Sequence, residues 1–171
     1  MRVRGRSRYR ISVAAVCCYR PGERSRLIYR YPSHKSRDST TRAWHRSFAW
    51  TDYLDLLTAA HHQLGVPIVP IWDNLNIHRA AGMRDFIAVH HWITAFHLLP
   101  YTPDLNPVEG ICCLLGRRAQ TSTAFTDHDH LIRACQPGLR TLQYRSHLIH
   151  GCLTGTGLMI TNQPTTTPKD Q

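Results

Sequence analysis

The stretch that decides the fold class is a short apolar run ending in two polar residues, Ile68-Val69-Pro70-Ile71-Trp72-Asp73-Asn74. Its length and apolar content predict a buried strand, with Asp73 at the carboxyl end. Open α/β sheets place ligand-binding and catalytic groups at that edge, which is favourable for a metal-binding carboxylate. A strand-ending Asp-Asn is also an ordinary turn or helix-cap signal, so the position of Asp73 alone leaves both roles open.

Outward from this stretch, strands and helices are predicted to alternate. The predicted strands are Ile11–Tyr19, Arg26–Tyr31, Ile68–Trp72 and Ile93–Leu99, the first two forming a hairpin. The predicted helices are Ser47–Leu64, Ala80–His91, Pro107–Arg118 and Leu131–Leu142. Gly65 ends the first helix, and Pro137 is expected to break or kink the last one. This order predicts an α/β domain with a mixed sheet, antiparallel at first and parallel later.

Glu109 is the second acidic residue of interest, and it lies at the start of a predicted helix. Asn106 is a good N-cap residue, Pro107 suits the first helical position, and Glu109 falls at the third. That pattern is a capping box, in which the glutamate only closes the helix end. The helix follows a strand that neighbours the Asp73 strand, so both interpretations place Glu109 near Asp73.

Charge suggests the class of partner. The chain of 171 residues has 21 Lys and Arg against 11 Asp and Glu, a formal net charge of +10. Thirteen of these basic residues fall within residues 1–46, where Arg4, Arg6, Arg8 and Arg10 alternate with other residues. An extended segment of this kind could track phosphates; a disordered, solvated basic tail is the alternative. The charge therefore favours a polyanionic partner such as nucleic acid.

Hydropathy and cysteine usage indicate the compartment. No apolar stretch is long enough for a membrane helix, and the six cysteines lack zinc-module spacing or the density of a secreted scaffold. We therefore expect a protein of the cytoplasm with reduced thiols and no membrane partner.

Two motifs together give a specific resemblance. The first is Trp72-Asp73-Asn74-Leu75-Asn76-Ile77-His78, and the second is Tyr101-Thr102-Pro103-Asp104-Leu105-Asn106-Pro107-Val108-Glu109-Gly110. With 35 residues between Asp73 and Glu109, they resemble bacterial insertion-sequence transposases of the mariner-like DDE superfamily. The resemblance runs from about Val3 to about Leu158. It implies a truncated catalytic domain over residues 1–158, with 159–171 expected to be a disordered tail.

The resemblance implies a fold and a chemistry. Members of that family have an RNase H-like mixed sheet flanked by helices, and three carboxylates bind two Mg²⁺ (or Mn²⁺) ions to cleave DNA ends and join them to target DNA. Asp73 matches the second acid and Glu109 the third. The first aspartate belongs to a first, central strand upstream of the segment that this chain resembles. We therefore expect a sheet lacking that strand, weak or absent metal binding, and no activity by this chain alone.

The same resemblance implies the partners. They are transposon-end and target DNA, with a possible homodimer or an upstream-encoded transposase fragment, in the cytoplasm and on the nucleoid when DNA is bound. The candidate nucleic-acid-binding residues are Arg4, Arg6, Arg8, Arg10, Arg117 and Arg118. The alternative function is a non-catalytic, basic, nucleic-acid-binding remnant of a transposase.

Overall fold

The computed structural model describes residues 2–4, 10–31, 48–119 and 128–160. The strands are β1 Arg2–Arg4, β2 Arg10–Ser12, β3 Ala14–Cys18, β4 Arg26–Arg30, β5 Ile71–Trp72 and β6 Phe96–His97. The helices are α1 Trp50–Leu64, α2 Ala81–Val89, α3 Pro107–Ala119, α4 His128–Tyr144 and α5 Ser146–Thr154. The fold is mixed α/β, which confirms the predicted class.

The predicted N-terminal hairpin is present. β3 and β4 pair in antiparallel fashion, with Val16 opposite Ile28. The predicted strand over Ile11–Tyr19 is divided at Val13, because β2 pairs with β1 and only β3 pairs with β4. The run is β-prone throughout, so its residue pattern carries no signal for this change of partner.

Both faces of the β3–β4 hairpin are covered by helices. Val13 and Leu27 pack on one face against buried residues of α3, α4 and α5. Ala14 and Ile28 pack on the other face against Phe48 and against α1. Each large side chain fully buried in these clusters contributes about 1.5–3 kcal/mol. The hairpin is therefore the middle layer of an α/β/α arrangement and is more fully buried than the β5–β6 pair.

β5 and β6 form the parallel pair predicted from the sequence. The ladder begins with the Ile68 N–H donating to the Trp92 carbonyl, 2.7 Å, and ends with Leu98 N–H donating to the Trp72 carbonyl, 2.8 Å. Pro70 accepts a bond from Phe96 N–H, 2.9 Å, but has no N–H to return toward Thr94. The missing rung explains why the regular pairing covers only two residues of the predicted strand.

α1 packs against both parts of the molecule. Its Leu56 and Ala60 belong to the cluster on the hairpin, whereas Leu57 packs with Trp72 beneath the β5–β6 pair. The described strands form three two-stranded sheets, so a continuous mixed sheet is not seen in this part of the chain.

The C-terminal helices differ from the prediction in two respects. α4 continues through Pro137, because buried side chains at helical spacing on either side of the proline, including Leu131, Cys135 and Leu139, fix it in the core. The predicted break at Pro137 is therefore wrong. α5 was not predicted, and its Ile149 and Leu153 are buried. Of the expected tail over 159–171, Met159 and Ile160 are exposed and belong to no helix or strand, and residues 161–171 lie outside the described residues.

Candidate active site

Asp73 lies immediately after β5 and is held by its own loop. One carboxylate oxygen, Oδ1, accepts a hydrogen bond from the Leu75 N–H, 3.2 Å, and lies 3.1 Å from His78 Nδ1. The turn interpretation of Asp73 is thus confirmed, but it uses one oxygen only. The other oxygen, Oδ2, makes no hydrogen bond to a described residue, and the side chain is 46% exposed. Asp73 therefore presents an oriented carboxylate with one oxygen available for a ligand.

His78 supports Asp73 from inside the fold. Its ring stacks on Trp72, with centroids 4.6 Å apart and planes 11° apart, and meets the Tyr53 ring edge-on at 4.8 Å. A turn closed by His78 N–H donating to the Leu75 carbonyl, 2.9 Å, folds the chain back to bring the imidazole beneath the carboxylate. Only 7% of His78 is exposed.

The hydrogen bonds of His78 fix the position of its proton. Nδ1 faces two acceptors, the Asp73 carbonyl oxygen at 3.2 Å and Asp73 Oδ1 at 3.1 Å, so Nδ1 carries the hydrogen. Nε2 is then an acceptor, and it is buried with no partner among the described residues. Burial lowers the pKa of His78 despite the opposing effect of Asp73. The contact is therefore a hydrogen bond that a neutral imidazole donates to Asp73.

A run of hydrogen bonds connects the Asp73 loop with the segment that leads to Glu109. Asn74 Nδ2–H donates to the Leu98 carbonyl, 2.6 Å, immediately after β6. Thr102 Oγ1–H then donates to the Leu99 carbonyl, 2.7 Å, and a short 3-10 helix, Pro103–Leu105, follows. Between them, Tyr101 adopts a positive φ of 62° and is fully exposed. The connection from β6 to α3 is thus fixed at its start by a side chain adjacent to Asp73.

The start of α3 leaves the Glu109 carboxylate free. Asn106 Oδ1 accepts the Val108 N–H, 3.1 Å, so the predicted N-cap is confirmed. The Asn106 N–H donates to the Pro103 carbonyl, 2.9 Å, and not to Glu109. The reciprocal half of the predicted capping box is therefore wrong, for the donor already has a partner. Glu109 is exposed at the first turn of α3.

The two carboxylates suit a hard divalent ion in their chemistry. Oxygen ligands are those that Mg²⁺ prefers, and this ion commonly binds through one or two carboxylates while keeping several waters. Within the described residues, no group of three or more His, Cys, Asp or Glu side chains is arranged to hold a metal ion. Asp73 and Glu109 thus fit part of a magnesium site, and their convergence stays a prediction.

Some of the candidate DNA-binding arginines lie on elements that contact one another. Arg4 and Arg10 are backbone partners in the β1–β2 hairpin. β1 contacts α3, the helix that carries Arg117 and Arg118, and β2 contacts α4. Arg6 and Arg8 lie outside the described residues. The fold thus brings the β1–β2 hairpin into contact with the helix that carries Arg117 and Arg118.

The comparison with known families decides the relationship. Residues 45–132, just over half of the chain, match the family described as DDE superfamily endonuclease. The chain belongs to this family. The match begins before α1, ends inside α4, and includes both Asp73 and Glu109, so the two acids of this DDE-family chain lie within the region that carries the relationship. No curated protein and no solved structure matches the chain.

The structure also describes the cysteines of this DDE-family chain and the apolar character of its helices. All six cysteines are free, as the sequence predicts. In the described part of the chain, no helix has both the length and the apolar character needed to span a bilayer.

Sequence reasoning missed the residues that support Asp73. In the sequence, His78 is only the last residue of the first motif, and Tyr53 is one residue of the first predicted helix. The bond from Asn74 to Leu98 was not predicted either. A signal for His78 was present, because turn-forming Asn74 and Asn76 between Asp73 and His78 favour a chain that folds back on itself.

Proposed function

We propose that this DDE-family chain is a transposase domain of the mariner-like, insertion-sequence branch, which acts in cleaving DNA ends and joining them to target DNA. The observation that carries the proposal is the oriented, half-exposed Asp73 carboxylate, whose neighbour Asn74 is bonded to the segment that leads to Glu109. Both acids lie within the residues that match the family. An aspartate that only shapes a turn would not require its neighbour Asn74 to be hydrogen-bonded to the segment that leads to α3.

Asp73 and Glu109 are the residues that would hold Mg²⁺ or Mn²⁺. Asp73 would offer Oδ2, because Oδ1 is occupied by the Leu75 N–H and His78. Glu109 would offer its exposed carboxylate from the first turn of α3. The ions, when bound, activate an attacking hydroxyl and stabilise the leaving oxygen. The protein's own contribution is to orient the two carboxylates.

DNA would approach along the basic side of α3. The β1–β2 hairpin brings Arg4 and Arg10 to the helix that carries Arg117 and Arg118. Arginines bind phosphate oxygens without regard to sequence and release condensed counterions. These residues, together with Arg6 and Arg8, would position the DNA backbone while the acids act on a phosphodiester.

The carboxylate set of this chain is expected to be completed from elsewhere. The resemblance assigns a further aspartate to a central strand outside the matched motifs, and a homodimer partner or an upstream-encoded segment would supply it. We therefore expect weak metal binding and no cleavage by this chain alone, in the cytoplasm and on nucleoid DNA.

Cleavage of transposon-end DNA in Mg²⁺ or Mn²⁺ tests the proposal, with the chain assayed alone and extended by its upstream coding sequence. We expect cleavage from the extended form only, and a loss of at least a hundredfold in Asp73→Asn and in Glu109→Gln. Asp104→Asn, in the 3-10 helix that precedes α3, is the matched control, and the extended form that carries it should keep its cleavage activity. An inert extended form, or one insensitive to Asp73→Asn, would contradict the proposal.

A second candidate, a non-catalytic nucleic-acid-binding remnant, is favoured by the net charge of +10. Counterion release predicts that the logarithm of the DNA affinity falls linearly with the logarithm of salt concentration, with little sequence preference. Asp73→Asn should leave this binding unchanged. Binding that is insensitive to salt, or no binding at low salt, would reject this function.

A further inference from the structure

The imidazole of His78 carries a free-energy cost that a purely apolar ring would not. Imidazole Nε2 is buried without a partner among the described residues, as is Trp72 Nε1 beside it. A buried acceptor without a donor costs about 1–3 kcal/mol. The ring stacks on Trp72 and meets Tyr53, and a phenyl ring would make the same packing contacts without that cost.

Packing alone therefore does not account for a histidine at this position. What an imidazole adds is the Nδ1–H, which lies 3.1 Å from Asp73 Oδ1 and 3.2 Å from the Asp73 carbonyl oxygen. The rings of Trp72 and Tyr53 fix the plane of the imidazole, so the direction of this N–H is fixed as well. The contact directs one oxygen of Asp73 inward and leaves Oδ2 toward solvent.

We propose that His78 is a positioning residue, whose Nδ1–H fixes the Asp73 carboxylate in the rotamer that presents Oδ2 to a divalent cation. The proposal deepens the proposed function and rests on it for the role of the cation. The orientation of Asp73 by His78 can be tested without any metal. Hydrogen-bond partners of metal ligands typically change metal affinity about 10–100-fold when removed.

Two substitutions separate positioning from packing. His78→Phe keeps an aromatic ring between Trp72 and Tyr53 but removes the donor. His78→Asn keeps an N–H donor at the δ position of the side chain but removes the ring. A positioning role predicts that the phenylalanine variant is as stable as the parent yet loses cation affinity, whereas the asparagine variant is less stable yet keeps it. A packing role predicts that His78→Phe keeps both its stability and its cation affinity, and that any loss of affinity falls on His78→Asn, which lacks the ring.

The first readout is Mn²⁺ affinity, measured on the full chain from the enhancement of water-proton relaxation. We expect His78→Phe to weaken binding by at least tenfold and His78→Asn by less than threefold, with Asp73→Asn as the reference for loss of the ligand. Thermal unfolding of each variant is measured alongside. Unchanged Mn²⁺ affinity in His78→Phe would overturn the proposal.

The second readout is the hydrogen-exchange rate of the Leu75 amide, which donates to Asp73 Oδ1 in the absence of metal. We expect faster exchange in His78→Phe and Asp73→Ala, and exchange within threefold of the parent in His78→Asn. Equal rates in the parent and His78→Phe would overturn the proposal. If the parent binds no Mn²⁺, or if Asp73→Asn binds Mn²⁺ as tightly as the parent, Asp73 is not a metal ligand. The exchange rate of the Leu75 amide then still decides whether His78 orients Asp73.

Discussion

The two parts of the molecule that meet on α1 are built differently. The β3–β4 hairpin is covered on both faces, by α1 on one side and by α3, α4 and α5 on the other. Among the described residues, the β5–β6 pair is covered on one face only. Trp72 points into the core, whereas Val69, Ile71 and Phe96 are each more than half exposed.

The two parts therefore contribute differently to the stability of the fold and to the candidate site. The hairpin part contains most of the fully buried large side chains, and its helix α3 carries Glu109 in the first turn. The β5–β6 part has a smaller core and places Asp73, His78 and Asn74 at its carboxyl edge. Functional groups on an open, less fully packed element are common, because ligands must reach them. Substitutions of buried residues should therefore affect unfolding most strongly in the hairpin part, whereas metal binding should depend on the carboxylates of Asp73 and Glu109.

The largest expected effect on stability comes from truncation in the hairpin core. Leu139 of α4 is completely buried in that cluster. Leu139→Ala should lower the free energy of unfolding by about 2–5 kcal/mol, since it removes buried methyl groups and leaves a cavity. Ile71→Thr, on the exposed face of β5, is the control and should cost less than about 1 kcal/mol. Equal losses in urea unfolding would remove the distinction between the two parts.

A smaller effect is expected where α2 approaches α1. A Cβ atom added at Gly82 would lie 2.5 Å from the Trp50 ring, so Gly82→Ala forces that ring to move. We expect a loss of about 1–3 kcal/mol by thermal unfolding. Gly116→Ala in α3 is the matched control, because a Cβ there meets nothing within 4 Å. The control should gain about 0.5–1 kcal/mol from helix propensity, and a neutral Gly82→Ala would contradict the close approach.

The smallest effect concerns the cap beside Glu109. Asn106→Ala removes the acceptor for the Val108 N–H and should cost about 1 kcal/mol. Glu109→Gln should leave the unfolding midpoint in urea unchanged, because the capping-box bond to Asn106 is absent. If Glu109→Gln lowered the free energy of unfolding as much as Asn106→Ala, the glutamate would have a capping role. The argument that Glu109 is a metal ligand would then be weaker.

Much of the fold could be predicted because it follows local rules. The α1 helix ends at Gly65 in the left-handed conformation, with φ of 66°, as the glycine predicts. The hairpin and the parallel pair follow from short β-prone runs at the right separation. The division at Val13 and the continuity of α4 through Pro137 could not be predicted, since both are decided by distant contacts rather than by nearby residues.

The candidate site shows the same limit. Asp73 and Glu109 could be identified because their motifs contain turn and cap residues that act locally. The role of His78 depends on Tyr53 of α1, which is distant in sequence, and the bond from Asn74 to Leu98 depends on the pairing of β5 with β6. Such contacts exist only once the fold is formed.

We propose that Asp73 and Glu109 bind the same cation. Paramagnetic line broadening by Mn²⁺ tests this directly, because it detects a bound ion even when binding is weak. We expect Mn²⁺ far below the chain concentration to broaden the amide signals of Leu75 and Gly110 together. Asp73→Asn should reduce the broadening at both, and Asp104→Asn should reduce neither. Broadening at Gly110 that persists unchanged in Asp73→Asn would show two separate sites and contradict the account.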